Sequence, residues 1–322
     1  GFIAKTWSER MVARYGASIR DFLPRAWNLI ETVRFNLGDP VPSMEEALRY
    51  ATPSERELLA EGYYSDFLDV FRMPPPTEDM AAVALAGEVK RGWYKRSAKA
   101  ILRLFGHEAP RFTALLAALS PRTDVETNLA NALEIWARWK EAGRPTTRAA
   151  ILRIMADALP GKQGEDFTTW HNNTVLALSA EDPGTITLSG PKVNSFMANL
   201  RGDVNEVTND AWMASYALVH QKLFAGLKRD GKTVKGPGYI AMAAAVRRTA
   251  AYLSEITGEP WTPAEVQETV WSWAKALYEL ANASRTGKMP SDSLPQLTDE
   301  LIYDTPDFAA LFTRPEYRSA LE

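Results

Sequence analysis

Residues 186–212 read ITLSGPKVNSFMANLRGDVNEVTNDAW, and this stretch decides the fold that we expect for the chain. A Gly-Pro-Lys turn opens an apolar helix, a short loop follows a glycine, and Val-Thr-Asn-Asp leads into a second helix. Because Thr and Asn are favoured N-caps, we expect Thr208 or Asn209 to cap that second helix. Such a cap would place the carboxylate of Asp210 near the positive end of the helix dipole.

Two ionisable residues mark the starts of these helices, Lys192 and Asp210, 18 positions apart. A lysine amine that an apolar wall partly desolvates becomes a usable nucleophile near neutral pH, and a carboxylate beside it suits acid–base work. The spacing therefore predicts a catalytic Lys–Asp pair. The same spacing also fits a surface lysine and a helix-start aspartate that never meet.

Composition places the chain among ordinary soluble globular proteins. It has 322 residues, of which 46% are hydrophobic and 24% charged, enough for one large domain or two small ones. These values exclude a disordered, fibrous or membrane-bundle protein. Because the sequence contains neither an 18-residue apolar run nor the apolar core of a signal peptide at its start, we expect no membrane association and a cytoplasmic location.

Metal and redox chemistry find little support in the sequence. The absence of cysteine excludes disulfides, Cys-ligated zinc, iron–sulfur clusters and thiol nucleophiles. Only three histidines occur, and no two of them form a compact metal-binding pair. We therefore expect no metal ion and no cofactor. The formal net charge of −3 argues mildly against a nucleic-acid partner, but it leaves room for a local basic face.

Helix signals dominate the chain and predict an all-α fold. Several helix starts carry Ser or Thr followed three residues later by Glu, the pattern of a capping box. These pairs are Ser43 with Glu46, Thr52 with Glu55, and Thr262 with Glu265. Composition suggests three regions: a helical N-terminal extension over 1–80 that ends at a triple proline, a main body over 81–284, and an acidic C-terminal tail over 285–322.

Basic residues concentrate between Glu88 and Glu108. Arg91, Lys95 and Lys99 follow one another at intervals of four, so a continuous helix would place them on one face. The pattern fits either a solvated helix face or a stripe that contacts phosphates. A second basic stretch, Gly226–Gly238, mixes lysines with glycines. It fits either a mobile surface loop, which we expect, or a segment that contacts a DNA backbone.

The pattern around the Lys–Asp pair resembles the helix–hairpin–helix (HhH-GPD) DNA glycosylase superfamily, the group of endonuclease III and 8-oxoguanine glycosylase. Members carry a hairpin with Gly-x-Lys, an apolar helix and an aspartate that starts the next helix, at the spacing seen here. The resemblance implies that Lys192 is the catalytic lysine and Asp210 the catalytic aspartate. It also places Gly190 in a hairpin that holds a DNA phosphate, within a two-lobed helical fold whose catalytic body is 81–284.

Two further segments resemble this superfamily in the same order along the chain. Residues 119–128, LSPRTDVETN, look like a stretch at the DNA face whose polar side chain fills the gap left by an extruded base, the role implied for Arg122. Residues 267–272, QETVWS, are similar to the base-recognition helix. There Gln267 would bind the edge of the flipped base and Trp271 would stack on it, since one helical turn separates them.

The sequence also departs from the superfamily pattern. Leu188 stands where the first hairpin glycine is expected, and Pro191 lies next to the lysine. The hairpin that holds a phosphate through its backbone N–H groups is therefore expected to be altered. The resemblance covers roughly 90–280 and leaves both ends of the chain unmatched.

A phage-associated branch of the superfamily offers the nearest pattern, GWY…SP…N…GPKV..F…N..G…VT.D.W, whose elements occur here in order. Its relatives include the thymine-hypermodifying enzymes (alpha-glutamyl/putrescinyl thymine pyrophosphorylase-like). If a phage encodes this chain, the host-cell cytoplasm is its expected location.

Three functions remain open at this point, all with DNA as the partner. The first is a glycosylase and AP lyase that flips a modified or damaged base into a pocket, where the Lys–Asp pair would converge. The second is a transferase that attaches an amine or amino acid to an activated 5-hydroxymethyluracil. The third is a non-catalytic DNA-binding or structural module of a phage protein.

Overall fold

The computed structural model describes residues 43–285 and 305–318, together with 10, 11, 13, 320 and 321. Helices make up most of this part of the chain, which confirms the all-α prediction. The predicted acidic tail lies largely outside the described residues. Among the helices that the structure describes, none is both long and apolar enough to cross a membrane.

Helices are numbered here in chain order over the described residues. They are α1 (Met44–Arg49), α2 (Pro53–Leu59), α3 (Tyr64–Phe71), α4 (Thr77–Ala86), α5 (Trp93–Phe105), α6 (Ala109–Ala118), α7 (Val125–Glu141), α8 (Arg148–Ala158), α9 (Thr168–Ser179), α10 (Pro191–Leu200), α11 (Ala211–Ala217), α12 (Pro237–Thr257), α13 (Pro263–Arg285), α14 (Phe308–Leu311) and α15 (Pro315–Arg318). Two short strands, β1 (Leu227–Arg229) and β2 (Lys232–Val234), form an antiparallel hairpin.

The three predicted capping pairs are present at the starts of α1, α2 and α13. The hydroxyl of Ser43 accepts the N–H of Glu46. Thr52 and Glu55 exchange two hydrogen bonds, as do Thr262 and Glu265, and these are complete capping boxes. The sequence predicted these starts because an N-cap depends only on residues three positions apart.

The chain divides into two compact units that alternate along the sequence. The first unit comprises 1–92, 204–226 and 235–305, and the second comprises 93–203, 227–234 and 306–322. The boundaries predicted from composition do not follow this division, and they stay predictions.

The first unit is organised around its two longest helices. Helix α12 packs against α3, α4 and α13, and α13 also packs against α4 and α11. Close approach of α13 to the end of α4 depends on Gly87, because a Cβ there would collide with the carbonyl group of Thr269. The core includes Phe67, Tyr239 and Trp273, all nearly inaccessible to solvent.

The second unit surrounds α6, whose residues are buried apart from Pro110. Helices α9 and α10 pack on α6, and α7 and α8 pack on each other. The side chain of Arg111, on α6, donates to the carbonyl oxygens of Ala177 and Ala180 at 3.1 and 2.7 Å. The guanidinium group therefore hydrogen-bonds the free carbonyl groups at the C-terminal end of α9, and its positive charge interacts favourably with the negative end of the helix dipole.

Candidate functional site

Asp210 is itself the N-cap of α11, which corrects the prediction that Thr208 or Asn209 would cap this helix. Its Oδ1 atom accepts the backbone N–H groups of Trp212 and Met213 at 2.9 and 3.3 Å. Aspartate caps as well as asparagine does, and its charge also favours the positive helix end. The expected position of the carboxylate at a helix N-terminus is therefore confirmed, although the capping residue was wrong.

Asn209 has a different function, because its side chain is buried instead of turned to the helix end. Its backbone N–H donates to the hydroxyl of Tyr239 at 3.0 Å, and its Nδ2 donates to the carbonyl oxygen of the same residue at 3.2 Å. The Tyr239 hydroxyl in turn donates to the carbonyl oxygen of Val207. These bonds fix the backbone immediately before Asp210 against α12.

The second carboxylate oxygen of Asp210 is bound by the indole of Trp271. Trp271 Nε1 donates to Asp210 Oδ2 at 2.9 Å, across 61 positions of sequence. Two residues that the sequence analysis placed in one site are thus in direct contact within the first unit. The ammonium group of Lys275 lies 5.5 Å from the centroid of the indole ring, within the range of a cation–π interaction.

Gln267 lies one turn before Trp271 on α13, as predicted, but its side chain is almost completely buried. It is 1% exposed, and its Oε1 atom has no hydrogen-bond partner among the described residues. An unmet acceptor in a protein interior carries a desolvation cost of about 1–3 kcal/mol. The structure therefore leaves this acceptor unsatisfied inside the first unit.

Lys192 belongs to the second unit, at the second position of α10. Its Nζ atom donates to Ser120 Oγ at 2.8 Å, and the Ser120 hydroxyl donates onward to the carbonyl oxygen of Ala117. The ammonium group also lies 5.3 Å from the ring centroid of Phe196. One hydroxyl and one aromatic ring therefore hold the amine. Because Asp210 belongs to the first unit, the predicted convergence of the two residues stays a prediction.

The turn before α10 is held by two buried or half-buried asparagines. Asn173, inside α9, receives the N–H of Ser189 and donates to its carbonyl oxygen at 2.7 and 2.9 Å. Asn194 does the same for Leu188, at 2.9 and 2.6 Å. The sequence analysis missed both roles, because an asparagine that clamps a remote turn has no local sequence signal.

Gly190 adopts φ 121°, a conformation that strongly favours glycine, so the turn predicted here is present. Its backbone N–H donates to the carbonyl oxygen of Thr233 at 2.8 Å. The N–H of Thr233 donates to Ser189 Oγ at 3.0 Å. The expectation of a mobile loop over Gly226–Gly238 is therefore wrong, since this segment contains a β-hairpin hydrogen-bonded to the turn.

Arg91 does not share a helix face with Lys95 and Lys99, contrary to the prediction. Helix α5 begins at Trp93, and Gly92, with φ 85°, separates Arg91 from it. Glycine in the left-handed region interrupts the helical path on which the spacing argument depended.

The guanidinium group of Arg91 is engaged inside the first unit. It binds Glu259 at 2.9 Å and Glu265 at 3.5 Å, and it lies 4.0 Å above the ring of Trp261. These contacts give Arg91 a structural role, because a phosphate would have to compete with two carboxylates.

The other predicted DNA contacts are accessible in the second unit. Lys95 and Lys99 are exposed on one side of α5. Arg122 is also exposed and has φ 62°, an uncommon conformation for a residue with a Cβ, in the tight turn between α6 and α7. The structure describes no ion pair of these three side chains that a ligand would have to break.

A buried ion network in the first unit has no counterpart in the sequence predictions. Glu55 binds Lys235 at 2.7 Å and Arg247 at 2.7 Å, and Lys235 also binds Glu206 at 2.8 Å. Burial opposes ionisation of Glu55, but the charges and hydrogen bonds of Lys235 and Arg247 outweigh it and lower the pKa of Glu55 to about 2. The capping glutamate of α2 thereby joins three distant segments of the unit.

Metal binding finds no ready arrangement in the part of the chain that the structure describes, where no three His, Asp or Glu side chains form a group suited to an ion. The contacts that bear on the candidate chemistry are the aspartate–indole contact in the first unit and the lysine–serine contact in the second.

These features define an all-α protein in which Asp210, the residue that caps α11, contacts Trp271 of α13, the longest described helix. The sequence profile of a described family matches residues 77–276, more than half of the chain, and the chain belongs to that family, the Family of unknown function (DUF7178). The matched range includes every predicted site residue from Arg91 to Trp271. No curated protein and no solved structure matches the chain.

Proposed function

We propose that this protein is a DNA base-acting enzyme with glycosylase and AP-lyase chemistry. The observation that carries the proposal is the 2.9 Å hydrogen bond from Trp271 Nε1 to Asp210 Oδ2. A carboxylate expected to act on the sugar and an aromatic residue expected to hold the base are in contact, although 61 positions separate them in sequence. If Asp210 and Trp271 resembled the superfamily residues only by chance, there would be no reason for the two side chains to be in contact.

Asp210 acts as the carboxylate that stabilises positive charge on the sugar. Two backbone N–H groups and one indole N–H fix its orientation before any substrate binds. A charged group that is oriented in advance stabilises a transition state without reorganising during the reaction. The helix N-terminus also keeps the carboxylate from rotating away from the reacting centre.

Lys192 supplies the amine that attacks C1′ of the target nucleotide. The new C–N bond forms as the glycosidic bond breaks, and the leaving base takes the bonding electron pair and a proton. The attacking group is the neutral amine: one of its two protons passes to the leaving base and the other to O4′ as the sugar ring opens, which leaves an imine between Lys192 and C1′. Ser120 Oγ, 2.8 Å from Lys192 Nζ, is the acceptor that orients the amine.

Gln267 and Trp271 recognise the extruded base. Moving a base out of the duplex costs a few kcal/mol, which a pocket must repay through stacking and hydrogen bonds. The Oε1 atom of Gln267, buried and unpartnered among the described residues, would accept an N–H from a base edge after its side chain turns toward the base, and the half-buried indole of Trp271 offers an aromatic surface one helical turn away.

Borohydride trapping on an abasic or damaged duplex tests this proposal. Borohydride reduces an imine to a stable amine, so the wild-type protein is expected to form a covalent adduct with DNA. Lys192→Ala is expected to lose it completely, whereas Lys140→Ala, at an exposed lysine of the same unit, is expected to keep it.

The other outcomes of this assay identify the alternatives. Absence of an adduct, together with transfer of a labelled amino acid to modified phage DNA, would replace the proposal with the transferase. Absence of both activities, with DNA binding retained, would point to the non-catalytic module.

A further inference from the structure

The turn that precedes α10 uses its backbone N–H groups inside the protein. Leu188 donates to Asn194 Oδ1 at 2.9 Å, Ser189 to Asn173 Oδ1 at 2.7 Å, and Gly190 to the carbonyl oxygen of Thr233 at 2.8 Å. A phosphate could accept these three N–H groups only if it displaced the acceptors that already hold them. The N–H groups of Leu188, Ser189 and Gly190 are therefore already used within the second unit.

The β-hairpin that supplies the acceptor for Gly190 is basic. Its eight residues, Leu227–Val234, contain three basic residues and one acidic residue. The two turn residues, Asp230 and Gly231, have φ 46° and 76°, and positive φ at both central residues is typical of tight two-residue hairpin turns. The charges are thus carried on a short, regular element and not on an irregular loop.

Several contacts fix this hairpin on the turn. Besides the two backbone contacts of Thr233, Lys232 Nζ donates to the carbonyl oxygen of Thr187 at 3.2 Å. Lys228, which is exposed, donates to Thr233 Oγ1 at 2.7 Å. The acceptors of both lysines are neutral oxygens, so the hydrogen bonds orient the ammonium groups without neutralising their charge.

The strand register places like charges opposite each other. Arg229 pairs with Lys232 across the hairpin, and Lys228 pairs with Thr233. Directly opposed like charges destabilise an antiparallel pair. An anion bound at the hairpin would lower this repulsion.

We propose that the hairpin Leu227–Val234 is an arm that binds the phosphate backbone of a nucleic acid, in place of the amide groups of the turn. Its partner is a polyanion, because three basic side chains lie within eight residues of one short hairpin. Phosphate contacts position a protein on DNA without reading sequence. The inference rests on the proposed function only in that DNA is the partner.

The test is the salt dependence of binding to a fluorescent 20-base-pair duplex, measured by anisotropy between 50 and 300 mM KCl on the full chain, roughly the range over which phosphate contacts lose affinity. The variant is Lys228→Gln with Lys232→Gln. The control is Lys140→Gln with Lys162→Gln, which removes the same charge from exposed positions of the same unit. Thermal melting checks that both variants are folded.

The slope of log K against log salt changes by about 0.9 for each phosphate contact. We therefore expect the hairpin variant to lose about 1.8 from the magnitude of the slope and about tenfold or more in affinity at low salt, with the control unchanged. Equal slopes for the wild type and the hairpin variant would overturn the inference alone. Equal losses in both variants would also overturn it, because bulk charge would then explain the binding.

A wild-type protein that fails to bind duplex DNA would overturn the inference together with the proposed function. Binding that depends on the hairpin, without a borohydride adduct, would support the inference and contradict the glycosylase proposal. The two failures are therefore distinguishable.

Discussion

The two predicted reactive groups are held in different ways within their own units. Three donors fix the carboxylate of Asp210, two from the backbone of α11 and one from Trp271. The amine of Lys192 contacts the hydroxyl of Ser120 and the face of the Phe196 ring. The carboxylate of Asp210 is one methylene group from its Cα atom, whereas the amine of Lys192 is four methylene groups from its own.

This difference matches the roles that the proposal assigns. A group that stabilises charge works best when it is oriented in advance, so multiple short hydrogen bonds suit it. A nucleophile must advance by an ångström or more to form a bond, so a long side chain suits it. In the proposed mechanism Asp210 therefore supplies an oriented charge and Lys192 the longer side chain.

The largest effect is expected for a substitution of Asp210, the group with the fixed orientation. Asp210→Asn should lower the rate of adduct formation by about 100- to 10,000-fold, because the charge disappears while the side chain keeps its shape. Asparagine can keep the helix cap, but its Nδ2 group cannot accept the indole N–H of Trp271, so the variant should also lose about 2 kcal/mol of stability. Asp182→Asn, which changes another capping aspartate, is the control for rate and melting. Full activity of the Asp210 variant would remove Asp210 from the site.

Acid should weaken the first unit through Glu55. Because the folded pKa is about 2, below the ordinary value of 4.5, this group contributes stability that is fully present above about pH 4.5 and is lost as pH falls toward 2. The shift corresponds to about 3 kcal/mol in the free energy of unfolding.

Urea unfolding at several pH values measures this dependence. Glu55→Gln should be less stable than the wild type at pH 7, and the difference between the two proteins should shrink on acidification. A difference that stays constant from pH 7 to pH 2 would contradict the role of the ion network.

The next largest effect on stability is expected at Asn173, whose side chain holds the backbone of Ser189 before α10. Asn173→Ala removes both hydrogen bonds to Ser189 and leaves buried backbone groups unpaired, so it should cost about 2–3 kcal/mol of stability. Asn172→Ala, at the neighbouring position, removes only an exposed bond to Arg148 and should cost less than about 0.5 kcal/mol. Equal melting temperatures for the two variants would show that the clamp contributes little.

Trp271→Phe tests the contact that carries the proposed function. It removes the indole donor but keeps an aromatic ring, so it should cost about 2 kcal/mol, the usual value for a hydrogen bond to a charged group. Trp212→Phe keeps the backbone donors to Asp210 and serves as the control. Unfolding by urea compares the two, and a larger loss in the control would contradict the argument.

The smallest effect concerns Ser120, a positioning residue for Lys192. Ser120→Ala should slow adduct formation by about tenfold and displace the pH at which the rate is half-maximal, since it removes the acceptor of the amine. Ser120→Thr keeps a hydroxyl and should restore most of the rate. A slower reaction with an unchanged pH profile would indicate a merely structural role.

Local features of the fold were readable from the sequence. The caps at Ser43, Thr52 and Thr262 were predicted because a cap involves residues only three positions apart. The error at Arg91 arose from an interval rule applied across Gly92, where the chain leaves the helical path. Spacing predicts a shared face only where nothing between the residues interrupts the helix.

The contacts that define the candidate site were beyond sequence reasoning. Trp271 and Asp210 were each predicted, but their hydrogen bond depends on how α11 packs against α13. Asn173 gave no signal, because a buried amide and an exposed amide look alike in a sequence. The Glu55 network joins residues about 190 positions apart, and only the folded chain brings them together.

The β-hairpin has ends that are held next to each other. A Cβ on Gly236 would collide with the carbonyl oxygen of Ala225, and one on Gly238 with that of Leu223, so the flanking segments pack backbone to backbone. The chain therefore enters and leaves the eight-residue hairpin through two segments whose backbones are in contact. A change in the length or charge of the hairpin would therefore leave the backbone contacts of Gly236 and Gly238 in place.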